Sequence, residues 1–187
     1  MDEDRELVER TLQGEREAFE MIIKKYQRPL LNYIGRMVGE RELALEFTQE
    51  VFFKTYSSLP SYNPEYRFNT WLFKIASNYI IDYWRKKKVP TISLESQKKE
   101  GLKSYSLQLP SGEHSLEKKF ELSQMRKKIE HALEKLPASL RELFLWRHVN
   151  ELSYEEIAEI KELPVGTVKN RVFQAKEILR RLLADEA

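Results

Sequence analysis

Residues 152–182 read LSYEEIAEIKELPVGTVKNRVFQAKEILRRL and predict two short helices joined by a tight turn. Ser153 and Glu156 occupy the two positions of a capping box, in which each side chain bonds the backbone N–H of the other residue, so the first helix begins there. Residues 161–164, which include a proline, form the turn, and a basic helix follows to about residue 183. Two short helices joined in this way, the second one basic, are a helix-turn-helix arrangement.

The second helix of this pair has two chemically different sides. At ~100° per residue its apolar residues form one stripe, made of Val168, Val172, Ala175, Leu179 and Leu182. The opposite side and its flanks carry small, amide, aromatic and basic side chains, namely Gly166, Thr167, Lys169, Asn170, Arg171, Phe173, Gln174 and Lys176. Amide side chains can pair with an adenine edge, an apolar side chain can touch a thymine methyl, and basic side chains can reach phosphates. This side predicts contact with DNA; the alternative is an amphipathic helix with one stray aromatic residue.

Apolar residues recur at spacings of three and four along almost the whole chain of 187 residues, and no convincing strand alternation is present. The pattern predicts an all-α fold with helices over residues 4–13, 15–38, 41–57, 70–88, 115–136, 139–150, 153–161 and 163–183. Residues 89–118 interrupt the pattern with prolines, glycines and serines, which is typical of a linker. We therefore predict two small helical domains, residues 1–90 and 119–187, joined by a flexible linker over residues 91–118.

Composition excludes several classes of protein. The chain has no cysteine, which rules out disulfides, thiolate metal sites and a cysteine nucleophile. Its acidic N-terminal stretch does not resemble a signal peptide, and no apolar run approaches the length of a membrane span. The histidines, His114, His131 and His148, are scattered without metal-ligand spacing, and no phosphate-binding glycine loop occurs. No catalytic residue, metal or cofactor is predicted, and the protein is not expected to be an enzyme.

Basic residues concentrate in two stretches of a chain whose formal net charge is only +2. Residues 61–90 include six basic and two acidic residues, and residues 163–183 include five basic residues and one acidic residue. Local clusters of this kind suit a polyanionic partner, although each cluster alone is equally well interpreted as a solvated surface.

The helix predicted over residues 41–57 has an acidic and amide-rich outer face. Its inward stripe is Leu43, Ala44, Phe47 and Val51, and its outward residues are Glu42, Glu46, Gln49 and Phe53. A negative face is a poor surface for DNA and suits a basic protein partner. The alternative is that Phe53 packs against a neighbouring helix.

The helix predicted over residues 70–88 mixes aromatic and basic residues. Leu72, Ile75, Ala76, Tyr79 and Tyr83 are expected to face the core, whereas the residues expected to point away from it are Trp71, Lys74, Ser77, Asn78, Ile81 and Arg85. Aromatic rings stack on unpaired bases while cations follow the backbone, so this surface suits single-stranded DNA. The alternative is a set of core aromatics with a solvated basic end.

Three segments resemble the sigma-70 family of bacterial transcription initiation factors, in its small two-domain extracytoplasmic-function branch. ALEFTQEVFFKTY, residues 44–56, resembles the region that binds the polymerase clamp. FNTWLFKIASNYIIDYWRKKK, residues 68–88, resembles the region that melts and reads the −10 promoter element. Residues 152–182 resemble the region that reads the −35 element. The three segments occur in the order and at the spacing of the family, and they lie in both predicted domains.

The resemblance implies three sets of functional residues. The set implied to dock on the polymerase clamp is Glu46, Gln49, Glu50 and Phe53. The set implied to capture a flipped base and hold the opened −10 strand is Ser61, Tyr62, Asn63, Phe68, Trp71, Asn78, Arg85 and Lys86. The set implied to contact the −35 element is Thr167, Lys169, Asn170, Arg171, Phe173, Gln174 and Lys176.

The resemblance also implies partners and a location. It implies core RNA polymerase (clamp and flap), promoter DNA and an anti-sigma factor as partners, no cofactor, and a free protein that is monomeric. It implies a cytoplasmic bacterial protein, held at the membrane only through such a partner. An ordinary helix-turn-helix regulator that does not bind polymerase is the alternative. Three residues depart from the family pattern: Glu46 replaces a usual Asp, Glu162 a frequent Gly, and Gln174 a frequent Arg.

Overall fold

The computed structural model describes residues 3–88 and 116–184, and within these ranges it contains helices and no strand. The helices are α1 (Glu3–Leu12), α2 (Arg16–Val38), α3 (Arg41–Ser58), α4 (Phe68–Lys88), α5 (Leu116–Lys135), α6 (Ala138–His148), α7 (Tyr154–Lys161) and α8 (Val165–Ala184), with one 3₁₀ turn at Leu59–Ser61. The chain divides into two compact units, one holding α1–α4 and the other α5–α8. The predicted all-α, two-domain fold is confirmed.

The segment between the units is described only at its edges. Residues 89–115, which include His114 and most of the predicted linker, lie outside the described residues. At the C-terminal edge α5 already begins at Leu116, so the last three residues assigned to the linker, 116–118, are helical.

The N-terminal unit is built around aromatic contacts between α2, α3 and α4. Phe47 of α3 meets Tyr79 and Tyr83 of α4 edge-on, with ring centroids 4.9 and 4.8 Å apart. Phe73 of α4 meets Tyr33 of α2 in the same way at 5.4 Å. Edge-to-face packing of this kind stabilises a pair by about 0.5–1.5 kcal/mol beyond the burial of its surface. Helix α4 is therefore fixed on two sides, by α3 and by α2.

This double packing corrects one prediction about α4. Ser77, expected to point away from the core, is 1% exposed. It lies on a second buried stripe with Phe73 and Ile80, which are 2% and 3% exposed. One helix face packs on one neighbour, but α4 contacts two helices and buries a wider arc than its apolar periodicity indicates.

The C-terminal unit places α6, α7 and α8 around a core that includes Trp146, Ile157 and Val168, each 0% exposed. The predicted capping box is present: the Ser153 hydroxyl accepts from the Glu156 N–H at 3.1 Å, and the Glu156 carboxylate accepts from the Ser153 N–H at 2.7 Å. These two bonds satisfy backbone donors that have no partner inside a helix, which fixes the start of α7.

The end of α7 is held by a half-buried cation. The Lys161 ammonium lies 2.6 Å from the Glu142 carboxylate of α6 and 4.9 Å from the centroid of the Trp146 ring. Glu142 is 6% exposed, so this pair is shielded from solvent far more than a surface ion pair. The contact ties the last turn of α7 to α6 immediately before the chain enters the helix-turn-helix turn.

That turn contains a residue in the left-handed region. Glu162 has φ 53° and ψ 44°, and its N–H caps the end of α7 by bonding the Glu159 carbonyl at 3.2 Å. A residue with a Cβ atom is disfavoured in this conformation by about 1–2 kcal/mol. The departure from glycine noted in the sequence therefore falls on a position where the backbone favours glycine.

Replacing Glu162 with Gly is expected to stabilise the helix-turn-helix by about 0.5–1 kcal/mol, because relief of the left-handed strain exceeds the added flexibility of the unfolded chain. Amide hydrogen exchange on α7 and α8 in the full chain measures the change. Glu159→Gly, the same substitution inside α7, is the control and should destabilise by about 1 kcal/mol. Faster exchange in Glu162→Gly than in the parent protein contradicts the expectation.

Candidate nucleic-acid interface

Helix α8 separates its two sides as the sequence predicts. The stripe of Val168, Val172, Ala175 and Leu179 is buried, and Leu182 is half-buried. On the other side Phe173 is 65% exposed, and its exposed neighbours are Lys169, Asn170, Gln174 and Lys176, with Thr167 and Arg171 half-buried. Most of this aromatic ring therefore lies in water beside amides and cations, outside the core of the unit. The side of α8 opposite the core is therefore a candidate contact surface.

The start of α8 leaves room for a partner. A Cβ atom built on Gly166 would meet no other atom within 4 Å. The fold of this unit therefore does not need glycine at this position. The N–H groups of Val165 and Gly166 precede the first backbone hydrogen bonds of α8, which Thr167 and Val168 donate to the Pro164 carbonyl. Together with the missing side chain of Gly166, they suit the close approach of a phosphate.

Two further residues join this surface from other helices. Tyr154, the first residue of α7, has the Arg147 guanidinium of α6 5.0 Å from its ring centroid and the Lys169 ammonium of α8 5.6 Å from it. Cations held at an aromatic ring are attracted by about 0.5–1 kcal/mol at an exposed site. Sequence reasoning missed Arg147 and Tyr154, because their proximity to Lys169 depends on how three helices pack.

Two cations lie close to His148 at this end of the unit. The pKa of His148 is lowered from its ordinary value, first by partial burial of the ring and then by the charges of Arg147 and Lys176. The His148 ring rests on Phe144, with centroids 4.8 Å apart. Arg147 and Lys176 are thus two positive charges close to this ring, an arrangement that suits a polyanion.

Helix α3 presents the acidic and amide face that the sequence predicts. Glu46, Gln49, Glu50 and Phe53 are exposed and follow the i, i+3, i+4, i+7 spacing of one helix side. The pKa of Tyr79 is raised, first by its partial burial and then by the carboxylates of Glu50 and Glu46. The negative potential of this face therefore reaches α4.

Phe53 does not pack into the core, which settles the alternative that its sequence left open. It is 69% exposed. It borders an apolar groove of about 480 Å³ between α2 and α3, whose other lining residues are Arg16, Phe19, Glu20, Ile23, Phe52 and Tyr56. The rings of Phe19 and Tyr56 meet edge-on at 4.9 Å and form the wall of this groove.

The loop between α3 and α4 is shaped by local hydrogen bonds. The Asn63 side chain accepts from the Glu65 N–H at 3.0 Å, which makes an Asx turn. The Tyr62 hydroxyl donates to the Tyr66 carbonyl at 2.5 Å, and the Ser61 hydroxyl donates to the Ser58 carbonyl at 2.7 Å. Ser61 and Asn63 are exposed and Tyr62 is half-buried, so this loop is accessible at its tip.

Phe68 corrects a prediction for this loop. It was placed among the residues that touch DNA, but it is 0% exposed. Its ring lies 5.7 Å from that of Tyr62 and 5.8 Å from that of Trp71, and these two rings are 5.2 Å apart. Phe68 begins α4, where a large apolar side chain is drawn into the core, so it supports the half-buried Tyr62 and Trp71 from beneath.

A polar and basic stripe runs along α4 from Trp71. Asn78 and Arg85 follow it at intervals of seven residues, which keeps them on one side of the helix over about 20 Å. Both are exposed, as is Lys86 at the basic end. Arg85 pairs with Asp82 at 2.9 Å, with side chains 72% and 53% exposed. An ion pair this exposed contributes little free energy and leaves the guanidinium available to a phosphate.

Neither a metal site nor a membrane span is found in the parts of the chain that the structure describes. No cluster of three or more histidine, aspartate or glutamate side chains could hold an ion in residues 3–88 or 116–184. Over the same ranges, no helix has the length and apolar character needed to cross a bilayer.

Comparison with known families and proteins agrees with this arrangement. The family model described as Sigma-70 region 2 matches residues 22–89, and that described as Sigma-70, region 4 matches residues 126–179. The RNA polymerase sigma-H factor of Pseudomonas aeruginosa is 32% identical, over 97% of this chain and 94% of the relative. The ECF RNA polymerase sigma factor SigW of Bacillus subtilis is 33% identical, over 95% of each chain. The ECF RNA polymerase sigma-E factor of Escherichia coli K12 is also 33% identical, over 94% of this chain and 92% of the relative.

Solved structures share the fold. CnrH, solved in complex with the cytosolic domain of CnrY, matches with a TM-score of 0.70 at 20% identity, over all of both chains. The sigma factor RpoE from Bartonella quintana, solved with the anti-sigma factor NepR, matches with a TM-score of 0.66 at 22% identity, over 89% of this chain and 96% of RpoE. Together with the closer sequence relatives, these findings assign the chain to the sigma-70 family, as an alternative extracytoplasmic-function sigma factor that directs promoter-specific transcription.

Proposed function

We propose that this sigma factor selects promoters with two separate surfaces, one for paired and one for unpaired DNA. The observation that carries the proposal is the amphipathic character of α8. Its apolar stripe is buried, and on the opposite side Phe173 is 65% exposed. With α8 in the major groove, Asn170 and Gln174 contact base edges and Phe173 contacts a thymine methyl. The flanking cations, Lys169, Arg171, Lys176 and Arg147, contact phosphates and set the register of the helix.

The proposal is tested by run-off transcription with core polymerase over a library of promoters. The expected result is selection at two blocks of sequence, with variants of the α8 surface changing only the upstream block. A parent protein that directs initiation without any upstream preference contradicts the proposed role of α8.

Asn170→Ala is expected to cost on the order of 1–3 kcal/mol at one base pair of the −35 element and to relax selection there, because a bidentate amide contact is lost. The measurement is the −35 profile from the promoter library. Lys176→Ala is the contrasting variant. It should weaken binding to all promoter sequences about equally, and the salt dependence of binding should fall by the amount expected for the loss of about one phosphate contact. An unchanged profile in Asn170→Ala counts against the assignment.

The second surface comprises the loop at residues 61–67 and the stripe along α4. We propose that Tyr62 and Trp71 stack on bases extruded from the −10 element, and that Ser61 and Asn63 line the same site. Stacking on aromatic rings is worth about 1–3 kcal/mol per base and offsets the cost of unpairing. Asn78, Arg85 and Lys86 then follow the backbone of the opened strand, and Phe68 supports the two rings without touching DNA.

Docking on core polymerase is proposed for the outer face of α3. Its exposed carboxylates and amide, together with Phe53, suit a basic surface with an apolar centre. We assign this face to the polymerase clamp and propose that the C-terminal unit contacts the flap. Because each DNA surface carries only a few cations, docking supplies the effective concentration that lets both act together.

We further propose that an anti-sigma factor covers these surfaces when the protein is inactive. The RpoE and CnrH structures were each solved with a bound protein, and RpoE's partner is an anti-sigma factor. The proposed location is the bacterial cytoplasm, with attachment to the membrane only through that partner, and the free protein is proposed to be a monomer. Size-exclusion chromatography of the free chain tests the last statement, since a stable dimer contradicts it.

No chemistry of its own is assigned to this protein. Its proposed function needs positioned contacts with polymerase and DNA and no reacting side chain. A nuclease and nucleotide hydrolysis assay of the purified chain with divalent metal tests this. A purely binding role is contradicted if nuclease or nucleotide hydrolysis activity copurifies with the chain and persists in the Trp71→Ala and Asn170→Ala variants.

A further inference from the structure

A continuous set of side-chain contacts joins helix α1 to the loop that precedes α4. It starts at Asp4, which is 8% exposed. The Asp4 carboxylate accepts a hydrogen bond from the Tyr26 hydroxyl at 2.6 Å on one oxygen and from the Lys25 ammonium at 2.6 Å on the other. Hydrogen bonds to a charged acceptor are the stronger kind, and burial shields them from water. Asp4 therefore fixes the position of the Tyr26 side chain on α2.

Tyr26 continues the contacts toward the loop. Its ring lies 5.5 Å from that of Phe68, the buried residue beneath Tyr62 and Trp71. Helix α1 also packs directly against the 3₁₀ turn at Leu59–Ser61, which opens the loop. The beginning of the loop and the residue at its end are thus both in contact with elements that α1 positions.

The loop exposes most of its residues to solvent. Between residues 62 and 67, Tyr62 is half-buried and the other five residues are exposed, and the Tyr62 hydroxyl and the Asn63 side chain make hydrogen bonds within the loop. A binding site on such a loop keeps its shape only if the residues beneath it are held in place. Phe68 is the residue beneath it, and Tyr26 is the contact that connects Phe68 to a buried charge.

We propose that Asp4 and Tyr26 are positioning residues for the capture of an unpaired base, acting through Phe68 on Tyr62 and Trp71. Neither residue touches DNA. Helix α1 thereby contributes to promoter opening as well as to folding. The inference rests on the role proposed above for the loop, so its test must distinguish failure of the positioning from failure of the loop.

The test uses the full chain assembled with core polymerase. Tyr26→Phe removes the hydroxyl and keeps the ring, so it breaks the hydrogen bond between Tyr26 and Asp4 without opening a cavity. Tyr33→Phe is the matched control, because Tyr33 is a 0% exposed tyrosine on the same helix whose ring contacts Phe73 of α4. The readouts are closed-complex affinity and the equilibrium between closed and open complexes, followed by a fluorescent base analogue in the −10 non-template strand.

Tyr26→Phe is expected to lower the open-to-closed ratio about two- to tenfold, the effect of one hydrogen bond, with closed-complex affinity unchanged. Tyr33→Phe should leave that ratio unchanged even if it lowers the melting temperature as much. Asp4→Asn, which keeps the shape of the side chain, should reproduce the effect. It replaces Tyr26→Phe as the test variant if Tyr26→Phe folds poorly. An open-to-closed ratio for Tyr26→Phe and Asp4→Asn equal to that for Tyr33→Phe overturns the positioning role.

A double variant distinguishes two explanations of a negative result: that Tyr26 does not act through the aromatic cluster, or that the loop does not capture a base at all. If Tyr26 acts through the aromatic cluster, adding Tyr26→Phe to Trp71→Ala should reduce opening by less than it does alone, because the side chain it positions is already missing. Fully additive effects overturn the proposed route through the cluster. Normal opening by Trp71→Ala alone overturns the proposed role of the loop, and with it this inference.

Discussion

Replacing Gln49 and Phe53 together with alanine is expected to weaken binding to core polymerase by on the order of 2–4 kcal/mol, or about thirty- to several-hundredfold. Phe53 is 69% exposed at the edge of an apolar groove and is surrounded by carboxylates and an amide. An aromatic side chain in such a setting is the type that dominates interface energetics, while the polar residues around it exclude water. The measurement is equilibrium binding of the full chain to core polymerase without DNA.

The same substitution on the other unit provides the control. Phe173→Ala with Gln174→Ala removes the same two side-chain types from an exposed helix side, with Phe173 at 65% exposure. This double variant of α8 should retain its affinity for polymerase and lose −35 selection. The double variant of α3 should lose affinity for polymerase and retain −35 selection. Both pairs lie on the surface, so each should change folding stability by less than about 0.5 kcal/mol per residue. Normal assembly of the α3 pair with polymerase refutes the docking assignment.

Local sequence rules predicted the helix-turn-helix well. A capping box needs only Ser153 and Glu156 at fixed spacing, and the buried stripe of α8 needs only the helical period. The unusual backbone at Glu162 was indicated only by the resemblance, since the family often has glycine at this position. These features depend on residues within one or two turns of each other, which is the range that a sequence pattern describes.

Features that depend on tertiary packing were not predictable in the same way. Phe68 was interpreted as part of an exposed loop, and Ser77 as outward-facing, because neither the loop nor the period of α4 indicates that α2 lies behind them. Arg147 and Tyr154 join the α8 surface only through the packing of three helices. Exposure and burial were thus predicted correctly on single helix faces, and the errors lie where a second element covers or completes a face.

Trp71→Ala is expected to leave closed-complex affinity unchanged and to reduce promoter opening by about 1–3 kcal/mol, or roughly five- to 150-fold, the loss of one stacking platform for an unpaired base. Trp71 is half-buried, and its ring lies 5.2 Å from that of Tyr62. The two rings form an accessible aromatic pair above the buried Phe68. The measurement is permanganate reactivity of thymines in the −10 region, with closed-complex affinity followed separately.

Two further measurements separate stacking from support of the fold. Trp71→Phe keeps an aromatic face and should restore most of the opening, whereas Trp71→Leu, which introduces a large aliphatic side chain without an aromatic face, should not. On a promoter already unpaired at −10, a stacking role predicts that Trp71→Ala still binds the exposed strand more weakly, because the platform is absent whether or not the duplex has to be opened. If the defect disappears on that template, Trp71 acts in strand separation alone, and the base would have to be held by other residues of the loop.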